Sequence, residues 1–166
     1  MDALLLAIRH PEATSSSRGK TFAVVAEDAR KELDAAYDAM KNSGLPFDKK
    51  TPADVHALFG RLDRRSLYAV SVNKDGRFTA DEIQAAQDIM QKQQLLALSD
   101  TKSEGLESLH RALTFLDNVS PEEKTSPEWL AQMTKLNKLS MSAHSAAGTE
   151  SGKPSFYVPT LAELLS

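Results

Sequence analysis

Ser71-Val72-Asn73-Lys74-Asp75-Gly76-Arg77-Phe78-Thr79-Ala80-Asp81-Glu82 is the stretch on which the fold of this chain turns. Asparagine, aspartate and glycine tolerate a left-handed backbone, so Asn73-Lys74-Asp75-Gly76 forces a reversal. Thr79-Ala80-Asp81-Glu82 is a capping box, in which the hydroxyl and the glutamate each satisfy one free amide at a helix start. Before the turn, Val55, Leu58, Phe59, Leu62, Leu67 and Val70 predict one helix; after it, Ile83, Ala86, Ile89, Met90 and Ala97 predict another, ending near Leu98. The unit therefore reads as helix, turn, helix. The same residues also fit a small β-hairpin, with Ala69–Val72 and Arg77–Thr79 paired around the turn.

Working outward, Phe22, Val25, Ala29, Leu33, Ala36 and Met40 share one face and predict a first helix from about Thr21 to Asn42. Ser43-Gly44 supplies its left-handed stop, and Pro46 prevents continuation. Thr51-Pro52-Ala53-Asp54 starts the second helix with a capping hydroxyl, a proline at the first position and an acid in the first turn. Beyond the break at Ser99-Asp100, Leu106, Leu109, Leu113 and Leu116 define a fourth helix. Ser120-Pro121 and Ser126-Pro127 are both start signals, the second opening a fifth helix that carries Trp129, Met133, Leu136 and Ala143. The expected fold is all-α, a compact bundle of about five helices in one domain at 19–147. An N-terminal segment and linker would occupy 1–18, where Pro11 stops the apolar Ala3–Ile8 and Thr14–Ser17 is polar. A C-terminal tail with a short helical turn, Leu161–Leu165, would occupy 148–166.

Residues 62–90 resemble an EF-hand, the helix–loop–helix unit that wraps calcium in a twelve-residue loop. The resemblance implies oxygen ligands from Ser71, Asn73, Asp75, Thr79 and Glu82, the last closing the ring with both oxygens, and from Arg77 through its carbonyl only. Gly76 stands where the loop needs its sharp bend, and Phe78 where an apolar side chain anchors it to the core. Two departures bear on affinity. Ser71 replaces the aspartate that opens the ring, and Lys74 and Arg77 add positive charge. With Asp75 and Glu82 as the remaining charged ligands, Ca2+ would bind with a dissociation constant on the order of 10⁻⁴–10⁻³ M. No second loop accompanies it: Asp100–Arg111 has Gly105 at the right offset but ends in arginine, which cannot ligate. An empty loop, closed by the side chains of Asn73 and Thr79, stands beside the calcium-bound one.

Composition narrows the function classes. With 41% hydrophobic and 26% charged residues the chain is globular in composition, so a packed core is expected rather than disorder. The net charge of −3 gives no electrostatic reason to bind nucleic acid. Arg61, Arg64 and Arg65 cluster, but Asp54 and Asp63 dilute them, and a solvated helix face is expected. There is no cysteine, which excludes disulfides, thiolate catalysis and cysteine-based metal sites. Ala3–Ile8 is too short to span a bilayer and lacks the flanks of a secretory signal, so a soluble cytoplasmic protein is expected, with leaderless export left open.

The remaining motifs are partial. Gly19-Lys20-Thr21 resembles the end of a phosphate-binding P-loop, but Thr14 occupies the place of the required earlier glycine. Residues 19–33 resemble the signalling tip of bacterial chemoreceptors, with Thr21 inserted before Phe22 and without the sustained heptads of that coiled coil. His10, His56, His110 and His144 form no ligand spacing, and no serine lies in a nucleophile elbow. The reading that remains is a non-enzymatic helical protein acting through contacts with an unknown protein partner, either with one weak Ca2+ site or as an adaptor, immunity or secretion-associated protein whose loop takes no metal.

Overall fold

The computed structural model describes residues 17–44, 51–98 and 106–147. Expectations placed on Ala3–Ile8, Pro11, Thr14–Ser16, Pro46, Gly105 and residues 148–166 lie outside them. The described residues are mostly helical and contain no strand. Seven helices follow in order: α1 Phe22–Asn42, α2 Pro52–Phe59, α3 Arg64–Val72, α4 Ala80–Leu98, α5 Leu106–Asp117, α6 Pro121–Lys124 and α7 Pro127–Ala147. They gather into two compact units, divided between Lys92 and Gln93 within α4.

The starts and stops follow the local chemistry. Thr21 caps α1 by accepting from the Val24 N–H, Thr51 caps α2 by accepting from Asp54, and Ser120 caps α6 by accepting from Glu123. Gly44 adopts φ 67° just beyond α1, where the left-handed turn that ends a helix suits a residue without Cβ. The helix expected across 52–70 is instead two. Asp63 takes an extended backbone and its carboxylate accepts the Ser66 N–H at 2.8 Å, so α3 begins afresh after Gly60. A capping aspartate in mid-pattern outweighs the apolar periodicity that runs through it. The hairpin alternative is overturned at the same place: Ala69–Val72 are helical, and the residues after them make no ladder.

In the first unit, Val25, Ala29 and Leu33 of α1 meet Leu58 and Phe59 of α2, Leu67 and Val70 of α3, Phe78 of the loop and Ala86 of α4. Burying each such leucine, valine or phenylalanine stabilises by about 1.5–3 kcal/mol. Arg61 is exposed, as expected of a solvated face, but the other two arginines of the cluster work on this unit. Arg64 is buried, and its guanidinium donates to the Met90 carbonyl at 3.2 Å. Arg65 donates to the Ser17 and Lys20 carbonyls at 2.9 and 3.0 Å, while Asp63 accepts the Ser17 N–H at 3.1 Å. Their long stems let both charged heads reach backbone oxygens of other segments. In the second unit, Leu109, Ala112, Phe115 and Leu116 of α5 pack with Val119 and Leu136, and Trp129, Met133 and Leu139 of α7 close over them. The Trp129 indole donates to the Leu116 carbonyl at 2.8 Å, so its polar edge is satisfied within the core.

Leu33 is fully buried on α1, whereas Leu130 on α7 is 53% exposed. Leu33→Ala is expected to cost about 3 kcal/mol of unfolding free energy and Leu130→Ala less than about 0.5, as read by urea denaturation followed by far-UV circular dichroism. Equal costs would contradict this placement of the core.

Candidate functional site

The loop between α3 and α4 is built by its own side chains. Asn73 ends α3 in the left-handed conformation, φ 46° and ψ 44°, with its N–H bonded to the Ala69 carbonyl. Its side-chain amide then bridges the loop both ways: the oxygen accepts the Phe78 N–H and the nitrogen donates to the Phe78 carbonyl, each at 3.0 Å. Between these ends Gly76 turns at φ 67°, its N–H on the Asn73 carbonyl at 3.0 Å. The chain leaves through the capping box. The Thr79 N–H donates to a Glu82 oxygen at 2.8 Å, and the Glu82 N–H donates to the Thr79 hydroxyl at 3.3 Å.

The capping box aims the Glu82 carboxylate at α1, where it is only 3% exposed. There Arg30 meets it: one guanidinium nitrogen donates to both carboxylate oxygens, at 3.1 and 2.9 Å. The same nitrogen lies 3.4 Å from the Arg77 carbonyl, and the guanidinium stands 5.5 Å over the Phe78 ring. Its other edge binds Asp34 one turn along α1, at 2.8 and 3.0 Å. The Tyr37 hydroxyl also hydrogen-bonds Glu82. Burial alone would raise the Glu82 pKa, but the bonds from Arg30 and the Thr79 N–H outweigh it and hold the carboxyl below its ordinary 4.5. Tyr37 moves the opposite way, to about 12, chiefly through burial and then through the neighbouring Glu82 charge.

Each of the six residues expected to hold an ion is thus already engaged within the protein. The Ser71 hydroxyl donates to the Tyr68 carbonyl of its own helix at 2.8 Å. Asn73 spends its amide on Phe78, and Thr79 spends its hydroxyl on the Glu82 N–H. Asp75 is half-exposed and pairs loosely with Arg77 at 3.7 Å. Only the Arg77 carbonyl and the Glu82 carboxylate, the seventh and twelfth positions, face a common positive group, and that group is Arg30. Among the described residues no three or more histidine, aspartate or glutamate side chains are grouped as metal ligands. A depression of about 130 Å³ lies beside the loop, floored by Phe22, Ala26, Ala69 and Phe78, with Lys74 and Arg77 among the residues that line it.

Arg30 is the participant that the loop's own sequence does not announce. Its signal lies in α1, where Ala26, Arg30, Leu33 and Tyr37 recur at steps of four, three and four, setting a cation on the flank of the apolar stripe. The other motifs resolve into structure. Lys20 of Gly19-Lys20-Thr21 pairs with Asp28 at 2.7 Å, and Thr21 caps α1. No helix among the described residues is long and apolar enough to cross a membrane. Fold and site together define an all-α protein in which the short connection 73–79 between α3 and α4 is clasped by an arginine from a neighbouring helix. The chain matches no family model, no curated protein and no solved structure.

Because the Glu82 pKa is lower folded than unfolded, the stabilisation is fully present above about 4.5 and is lost as pH falls through the folded value. Thermal melts of the wild type should therefore decline steeply with acid below that point. Glu82→Gln, which removes the titration, should start lower at pH 7 and decline less on acidification. Parallel declines would remove Glu82 from this role.

Proposed function

We propose that this chain is a non-enzymatic helical protein that acts through protein–protein contacts, with the loop at 71–82 joining two helices without a metal ion. The observation that carries the contact reading is in the second unit. Two large apolar side chains of α7 lie open to solvent, Leu130 at 53% and Met141 at 72% exposed, on a helix whose opposite side already fills the core through Leu136. They stand eleven residues apart, three full turns, and so share one face. Near the end of α4, Leu95 and Leu96 are also exposed. Methionine and leucine presented this way suit a partner's apolar surface, since methionine is flexible and enriched where proteins meet.

The titratable groups support a structural rather than a chemical use of charge. Among the described residues, each group displaced from its ordinary value has a partner within the fold: Arg30 and Tyr37 bond Glu82, Glu27 and Lys31 bond each other, and Asp28 accepts a bond from Lys20. An adaptor-like role is consistent with a loop whose polar groups are spent on its own closure.

The test compares the wild type with Leu130→Ser/Met141→Ser, both immobilised and exposed to extract from the native host. The double variant should keep the wild-type melting temperature within about 2 °C, because both side chains are outside the core. A protein retained in near-stoichiometric amount by the wild type, and lost by at least tenfold on the variant, is the expected result. Equal retention by the two would place the contact elsewhere, and no retention by either would retire the reading.

A further inference from the structure

We propose that Arg30 is the resident cation of the 71–82 loop: its guanidinium takes the place a divalent ion would take between the Arg77 carbonyl and the Glu82 carboxylate, so that closure of the loop onto α1 does not depend on calcium. The contacts are those a metal would seek. The closing glutamate of a calcium loop offers both oxygens to the ion, and here both are 3.1 and 2.9 Å from one nitrogen of Arg30. The seventh position of such a loop offers its carbonyl, and the Arg77 carbonyl lies 3.4 Å from that nitrogen. Phe78, buried beneath the loop, presents its ring to the same guanidinium.

Chemistry favours the arginine over an ion in this setting. A guanidinium is charged at every physiological pH and presents a planar fork suited to a carboxylate. It is also covalently held on α1, with its far edge fixed by Asp34, so its local concentration is set by the fold and not by the surroundings. A calcium ion would have to displace it, strip Glu82 of its partner, and make up its coordination without an aspartate at Ser71. Two changes should therefore restore ion binding where one does not. Supplying the missing carboxylate alone leaves Arg30 in place, and removing Arg30 together with that change opens the site.

The experiment titrates calcium into four chains, wild type, Ser71→Asp, Arg30→Met/Ser71→Asp and Arg30→Lys/Ser71→Asp, following the Gly76 amide in ¹⁵N correlation spectra. Up to calcium concentrations on the order of 10⁻³ M, wild type and Ser71→Asp are expected to show no saturable shift. Arg30→Met/Ser71→Asp is expected to show one that saturates, and Arg30→Lys/Ser71→Asp, which keeps the charge, a response at least tenfold weaker. A saturable Gly76 shift in wild type or in Ser71→Asp overturns the proposal, because Arg30 would not then be holding the place. So does silence in Arg30→Met/Ser71→Asp with a wild-type circular dichroism spectrum. If that chain unfolds, recovery of its helical signal on adding calcium supports the proposal. Without recovery, Arg30→Lys/Ser71→Asp decides: a saturable Gly76 shift at about tenfold higher calcium supports the proposal, and silence there overturns it.

Discussion

A carboxylate that is almost wholly removed from water must be given back the bonds that water supplied, and Glu82 is in that position. Its place is not a free choice. The start of α4 fixes Glu82 three residues after the capping threonine, and the requirement of the first turn for a bond to the Thr79 N–H fixes the side chain's direction. Once directed at α1, the charge is tolerable only because Arg30, the Thr79 amide and the Tyr37 hydroxyl converge on it. Taking away Arg30 would cost about 3–5 kcal/mol, since Glu82 is left charged and buried without its cation. Three pieces of the first unit, α1, the loop and α4, are thus held in one relation by a single anion.

The clasp also explains why the loop is orderly with so little hydrophobic material. Phe78 is its one buried apolar side chain; the rest of the closure is hydrogen bonding by Asn73 across the turn and by Thr79 and Glu82 at its exit. Asn73 takes a left-handed backbone that most residues avoid, and it makes two bonds that a leucine or alanine there would forfeit. The same position both ends one helix and ties down the segment leading to the next.

The helix ends were legible in the sequence because each is written in adjacent residues: Thr21 and Thr51 before their helices, Ser120-Pro121, Ser126-Pro127, and the box from Thr79 to Glu82. The break between α2 and α3 was harder, because Leu58, Leu62 and Leu67 keep an apolar rhythm across it and Asp63 reads equally well as a surface acid. Arg64 was misread for a related reason. Its partner, the Met90 carbonyl, lies 26 residues away, and no local pattern announces a backbone oxygen waiting in another helix. The loop shows the limit most plainly. Residues 71–82 do predict the turn, the glycine bend and the buried Phe78, but the cation that faces Glu82 comes from α1. A pattern confined to twelve residues specifies oxygens and is silent about a side chain arriving from outside.

Ser17 and Lys20, just ahead of α1, are tied to Asp63 and Arg65 at the start of α3 by three hydrogen bonds between 2.9 and 3.1 Å. That arrangement has a mechanical meaning. A pull on the chain ahead of Ser17 would be shared among those bonds before reaching the first turn of α1, loading two helix starts side by side. The hydrophobic interior would feel the tension only after the tie had given way, so the segment behaves as a strain relief for the unit it precedes.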